Sequence, residues 1–215
     1  MYYELLKLEK EMDMNKYSLK DLALYFERFD GYVCSIETNK RNLKFIIDVN
    51  SFCHLIGIHH AFKGKKSKNE YKGAPGFDKI KNGEMTYNDI MKGIKNNNSN
   101  ISWTNIKNRI KYLPMFFNQI KKVKLSIRED ELLNRKVYLK GNYFLFRSLH
   151  KNIFPILSLK NINGGRTIIE TFFVDNDLTL IGALKKERIL SVRLISPLDN
   201  KTPLIKKEDT NKVLN

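Results

Sequence analysis

Three of the four histidines in this 215-residue chain fall within one apolar stretch, Phe52–Phe62. They are His54, His59 and His60, and the stretch runs directly into Lys63-Gly-Lys-Lys-Ser-Lys68. Imidazole accepts or gives up a proton near neutral pH. Clustered lysines attract phosphate. Together they can hold a phosphodiester and move protons beside it. RNA is the substrate that asks least of such a site, because its 2′-hydroxyl is already a nucleophile. Cleavage then needs a base for that hydroxyl, an acid for the departing 5′-oxygen, and cations for the charge that develops on the phosphate. A threonine or tyrosine hydroxyl can hold a non-bridging oxygen.

Other chemistries fit less well. His54 and His59 are five apart and His59 and His60 adjacent, so neither pair has the i, i+4 spacing that puts two metal ligands on one helix face. No Walker loop, dinucleotide fingerprint or Gly-x-Ser-x-Gly occurs. No close carboxylate pair invites two-metal nuclease chemistry. No metal or cofactor is expected.

The elements that must position these groups are legible in outline. Residues 2–12 have the spacing of a short helix. Ser18 with Asp21 forms a helix start ahead of Leu19, Leu22, Phe26 and Phe29. Tyr32–Glu37 and Asn42–Val49 form a hairpin, and Ser51–Phe62 a helix. Residues 63–77 read as a basic loop containing Gly73-Ala74-Pro75-Gly76, followed by a helical turn over Phe77–Asn82. Thr86 and Ser102 start two more helices, the second running to about Lys121 with Trp103, Ile106, Ile110, Leu113, Phe117 and Ile120 as its apolar stripe. Strands are expected at Val123–Ile127, Tyr143–Ser148, Phe154–Leu159, Arg166–Val174, Leu178–Ile181 and Arg188–Ser196. Helices and a hairpin first, then a C-terminal antiparallel β-sheet, make an α+β fold. We read residues 1–197 as one domain, with 1–40 as an N-terminal extension, and the polar tail 198–215 as disordered.

Each candidate also has a plainer explanation. On a continuous helix His59 falls with Phe52, Leu55 and Ile56, as a half-buried structural histidine would. His54 turns away from that stripe and is free to face a cleft. Arg109 stands at the margin of its helix's stripe, either paired with a carboxylate or clamping a phosphate. Arg147 and Thr171 lie on predicted strands, where solvent-facing positions are common. Lys63, Lys65, Lys66, Lys68 and Lys72 form a phosphate-contacting loop or a solvated surface.

Charge favours a polyanionic partner. The chain has 39 Lys and Arg against 23 Asp and Glu, a net charge of +16. The excess is concentrated: residues 61–124 carry 15 basic and four acidic side chains, whereas residues 1–30 carry five and seven. Cys34 and Cys53 lie outside any CxxC spacing and read as reduced, buried thiols of a cytoplasmic protein. No run of apolar residues is long enough to span a membrane, and the N-terminus lacks the pattern of a secretory signal.

Several short motifs carry a resemblance. His54-Leu-Ile-Gly-Ile58 after a hairpin resembles the motif helix of a phage-associated branch of the barnase–EndoU–colicin–RelE-like (BECR) nucleases. Lys79-Ile-Lys-Asn-Gly83, Met85-Thr-Tyr, the Ile106–Ile110 segment with Arg109, and Glu170-Thr-Phe-Phe173 are similar to its middle and late parts. The likeness covers about residues 40–195. It implies a metal-independent endoribonuclease of the toxin or phage–host conflict type. RNA would be the substrate, with tRNA and ribosome-associated mRNA as examples, and an antitoxin or immunity protein the neutralising partner. By position, His54 matches the motif histidine, Arg109 the helix arginine and Thr171 the strand hydroxyl; Arg147 is the candidate for the basic strand position. The extra His59-His60 and residues 1–40 depart from the pattern. Two functions are therefore carried forward. One is an endoribonuclease with His54, or secondarily His59, as its acid–base group, with Arg109, Arg147 and Thr171 on the phosphate and the lysines on RNA. The other is a non-catalytic basic protein, such as a phage or plasmid inhibitor, that binds nucleic acid or an acidic protein.

Overall fold

The computed structural model describes residues 2–62, 68–96, 101–128, 140–149, 152–162, 165–177 and 181–199. The expected helix at the N-terminus is shorter than its spacing implies: a 3-10 helix covers Tyr2–Lys7 only. Leu19, Leu22 and Phe26 then wind into α1 (Leu19–Glu27). Ser18 and Asp21 cap it reciprocally, each side chain taking the other's backbone N–H. The hairpin follows as β1 (Val33–Thr38) and β2 (Asn42–Ile46), with Cys34, Ile36, Leu43 and Phe45 all turned inward.

Two single-turn helices, α2 (Phe52–Leu55) and α3 (Ile58–Ala61), occupy the histidine stretch. The expected loop over 63–77 needs correcting. A 3-10 helix spans Lys68–Tyr71, and α4 runs over Gly73–Lys81. Pro75 sits in the first turn of α4, where a missing N–H costs nothing. Gly76 is there because a Cβ would come within 2.6 Å of the Tyr71 backbone and 2.8 Å of Cys53 Sγ. After α5 (Tyr87–Asn96), the 16-residue α6 (Trp103–Asn118) runs on through Pro114. It buries Ile106, Ile110, Leu113, Phe116 and Phe117.

The second half is β-rich, as expected, but the strands divide differently. They are β3 (Lys124–Ile127), β4 (Tyr143–Phe146), β5 (Phe154–Ile162), β6 (Arg166–Asp175), β7 (Lys185–Glu187) and β8 (Ile189–Ile195). Two antiparallel sheets form instead of one. The larger has the order β6-β5-β4-β3-β7. The smaller, β2-β1-β8, joins the hairpin to the last strand. The short β7 was not anticipated. Of the expected strand Leu178–Ile181, residues 178–180 lie outside the described residues and Ile181 begins a turn; the tail beyond residue 199 also lies outside them.

One core cluster reaches from Leu5 through α1, the hairpin and α6 to Phe172. Phe116 of α6 meets Phe172 of β6 edge to face, 5.4 Å between ring centroids. A smaller cluster of Phe144, Phe146, Phe154, Ile156 and Ile181 forms separately on β4 and β5. The N-terminal segment is tied in by polar contacts. Asn118 Nδ2 donates to the Leu5 and Leu8 carbonyls at 2.7 and 3.0 Å. The buried Tyr25 hydroxyl lies 2.8 Å from Asn118 Oδ1 and 3.0 Å from the Pro114 carbonyl. Removing that hydroxyl leaves buried acceptors without their donor. Tyr25→Phe should lower the free energy of unfolding in urea by about 1–2 kcal/mol, with the denaturant slope unchanged.

Candidate active site

The histidine stretch is not the continuous helix its apolar content implies. Gly57 adopts φ +79°, in the left-handed region, and separates α2 from α3. The break folds the second turn back on the first. His54 and His59, which a helix would have held apart, become neighbours: His54 Nδ1 lies 3.2 Å from His59 Nε2, and the rings stack at 4.5 Å. His60 stands beside His59, ring centroids 3.9 Å apart. The scaffold beneath is apolar. Phe52 packs against Phe26 and Phe77, which leaves His54 on the open side of α2.

Gly57 has a second role. A Cβ there would lie 3.2 Å from Arg109 Nη1 and 3.4 Å from its Cδ. The arginine side chain passes over the glycine as it leaves α6. Its Nη1 donates to the Leu55 carbonyl at 3.4 Å and to Thr171 Oγ1 on β6 at 3.3 Å. Its Nε is buried with no hydrogen-bond partner, and no carboxylate pairs with it among the described residues. Loss of water pulls the guanidinium down to about 10, so it stays charged at neutral pH. A half-buried cation lacking an acid is costly unless an anion joins it. Thr171 accepts from Arg109 and keeps its own proton to donate.

Burial disfavours the charged form of both paired imidazoles. His59 is pushed down to about 3, first by burial and then by the charges of His60 and His54. His54 keeps an exposed edge, yet it also sits below its ordinary value. Displaced water is the main cause, with Arg109 and Lys72 adding repulsion, while the Glu170 main chain and carboxylate pull the other way. Hydrogen bonding orders the pair. The Cys53 carbonyl, 3.5 Å from His59 Nδ1, can only accept, so that nitrogen carries the proton. His59 Nε2 therefore accepts from His54 Nδ1–H. The His54 ring has a further acceptor in the Glu170 main chain, which favours its protonated form.

Of the residues singled out by the sequence, His54, His59, Arg109 and Thr171 are brought together. Arg147 is not gathered with them. Its guanidinium donates to the Lys122 carbonyl at 3.1 Å and to Gln119 Oε1 at 2.6 Å, closing the C-terminal end of α6. Lys72 is exposed ahead of α4, close enough for its charge to bear on both imidazoles. Lys63, Lys65 and Lys66, and the side chain of Lys68, lie outside the described residues. Although the three imidazoles adjoin, no group of three or more His, Cys, Asp or Glu able to hold a metal occurs among the described residues. Both cysteine thiols are buried and pushed up to about 12, which leaves them unreactive.

Beyond its place in the Glu170-Thr-Phe-Phe173 motif, Glu170 and its part in this region escape sequence reasoning. In β6 the pairing slips by one residue: Ser158 faces Thr171 but Leu159 faces Ile169, so Glu170 is the extra residue of a bulge. The glycine break did leave a trace, since a lone glycine inside an apolar helical pattern is a breaker signal.

A family described as phage-Barnase-EndoU-ColicinE5/D-RelE like nuclease 4 matches residues 18–213. The match extends beyond both ends of the span carried by the short motifs. No curated protein and no solved structure matches the chain. Among the described residues no helix is long and apolar enough to cross a membrane.

Two outcomes follow from the geometry. Gly57→Ala should destabilise the protein by about 1–2 kcal/mol, from the left-handed backbone alone, and shift Arg109; chemical denaturation and the Arg109 Nε–H NMR signal check this. His59 should make stability pH-dependent. An unfolded imidazole protonates near pH 6.5, whereas the folded one stays neutral to about pH 3. As pH falls through that window the unfolded chain binds the extra proton, so stability drops. The fall in Tm between pH 7 and pH 4 should be shallower in His59→Gln.

Proposed function

The chain belongs to this family of nucleases, and from that premise we propose that it is a metal-independent endoribonuclease. The observation that carries the proposal is Arg109: a desolvated guanidinium that pairs with no acid among the described residues, hydrogen-bonded to Thr171 and near enough for its charge to bear on His54. That set complements a phosphodiester beside a ribose hydroxyl.

His54 takes the 2′-hydroxyl proton on its free ring nitrogen. The 2′-oxygen bonds to phosphorus, the bond from phosphorus to the 5′-oxygen breaks, and a 2′,3′-cyclic phosphate remains. Arg109 carries the charge that gathers on the non-bridging oxygens. Thr171 donates its hydroxyl to one of them and fixes the orientation. His59 holds His54 in the required tautomer. With His59 neutral down to about pH 3, solvent supplies the proton for the 5′-oxygen. Arg147 takes no part in this scheme, because both of its Nη groups are engaged at the end of α6. Lys72 and the lysines from Lys63 to Lys68 attract the RNA backbone, in keeping with a net charge of +16. A phage-type ribonuclease of this kind acts in conflict with a host, on tRNA or ribosome-associated mRNA, and calls for a neutralising protein in the cell that makes it.

Incubation of the purified protein with total RNA in EDTA tests the proposal. Discrete fragments ending in cyclic phosphate are expected. His54→Ala should reduce cleavage by about 10²–10⁴-fold while RNA binding, read by gel shift, persists. Arg109→Ala should lower cleavage to a similar degree. Wild-type protein that binds RNA with steep salt dependence and never cuts it would overturn the enzyme in favour of a basic binding protein.

A further inference from the structure

Glu170 has an unusual setting for a carboxylate in so basic a chain. Oε2 accepts from Ser158 Oγ at 2.7 Å, and Oε1 accepts from the Lys140 backbone N–H at 2.9 Å. Both donors are neutral, and no Lys or Arg side chain pairs with Glu170 among the described residues. Its negative charge is thus held in place without being cancelled. Ser158 is fully buried. The clamp also has no spare room: a Cβ at Gly141 would lie 2.0 Å from Ser158 Oγ and 2.9 Å from Glu170 Oε2.

The position of Glu170 in the strand adds a second observation. As the extra residue of the bulge it has no Cα partner on β5. Bulges re-aim side chains and free backbone groups from the ladder. This one immediately precedes Thr171, which meets Arg109. It also faces α2, where its main chain and carboxylate both act on His54.

We propose that Glu170 is a positioning residue: clamped by Ser158 and the Lys140 amide, it holds the bulge against His54 and keeps one negative charge beside that imidazole. The other charged or titratable groups acting on this region are His59 and His60 from α3, Arg109 from α6 and Lys72 ahead of α4. Among the described residues Glu170 is the acid whose charge acts on His54. It favours the imidazolium that forms when His54 takes a proton, against two cations and a loss of water that oppose it. The inference rests on His54 being the acid–base group of the site.

NMR titration of the histidine ring protons tests it, with the His54 signal assigned by its loss in His54→Ala. Glu170→Gln should lower the His54 titration midpoint, and Glu170→Asp, which keeps the charge, should recover most of the shift. On RNA, Glu170→Gln should lower kcat about tenfold or more at neutral pH, with KM nearly unchanged and the acid limb of the pH profile moved in the same direction as the titration. Ser158→Ala keeps the carboxylate and removes one side of its clamp; it should move the midpoint the same way, and it decides the matter if Glu170→Gln does not fold. An unchanged midpoint in a folded Glu170→Gln, or in Ser158→Ala where that variant decides, overturns the proposal. Should the wild type cut no RNA, the ribonuclease assignment fails, while the titration still tests the link between Glu170 and His54.

Discussion

A positive charge that has been taken out of water and pairs with no acid among the described residues is the constraint around which this molecule is arranged. Arg109 could have ended in solvent, one residue outside the apolar stripe of α6. Its flanking residues Ile106 and Ile110 are buried instead, and they carry the guanidinium inward with them. Two neutral oxygens, the Leu55 carbonyl and Thr171 Oγ1, receive it. Such contacts orient a cation better than they neutralise it. The same withdrawal from water that pulls down the guanidinium also suppresses the charged form of His54 and His59. One act of desolvation thus yields a cation in search of an anion and imidazoles with an available lone pair.

Three elements from distant parts of the chain meet at that cation, and two of them are shaped by a local irregularity. The histidine turns bend at Gly57, which both reverses the chain and clears a path for the arginine. The strand bearing Thr171 carries a bulge. The helix bearing Arg109 is regular, and it serves as the fixed reference against which the other two are set: Phe116 on Phe172 and Phe26 on Phe117 lock it to the sheet and to α1. Regular structure supplies the rigidity here, and the deviations supply the aim.

Much of this was legible in the residues. The runs Tyr32–Glu37 and Asn42–Val49 marked the hairpin, Ser18 and Ser102 marked helix starts, and the stripe from Ile106 to Phe117 marked α6. Residue chemistry and family likeness also picked out four groups that the fold gathers. The failures share a physical cause. Gly73-Ala74-Pro75-Gly76 looks like a turn, yet proline suits the first turn of a helix and Gly76 answers a close approach by Tyr71 and Cys53, neither of which local pattern can reveal. The helical wheel separated His54 from His59 because a wheel assumes unbroken geometry. Arg147 has the right residue type, but its partners on α6 and beyond lie more than twenty residues away in sequence. The bulge at Glu170 is a matter of register with β5, which exists only once two strands are paired.

The pairing of β1 with β8 has a bearing on how the protein comes into being. Val33 and Ile195 are register partners, and every element from β2 to β7 lies between them. During translation the first hairpin must wait, with one edge open, until the last strand leaves the ribosome. The threonine on β6 likewise emerges long after the imidazoles and the guanidinium. The histidine turns and the Arg109 helix are thus made well before the strand that meets them, and the three come together only once β6 has emerged.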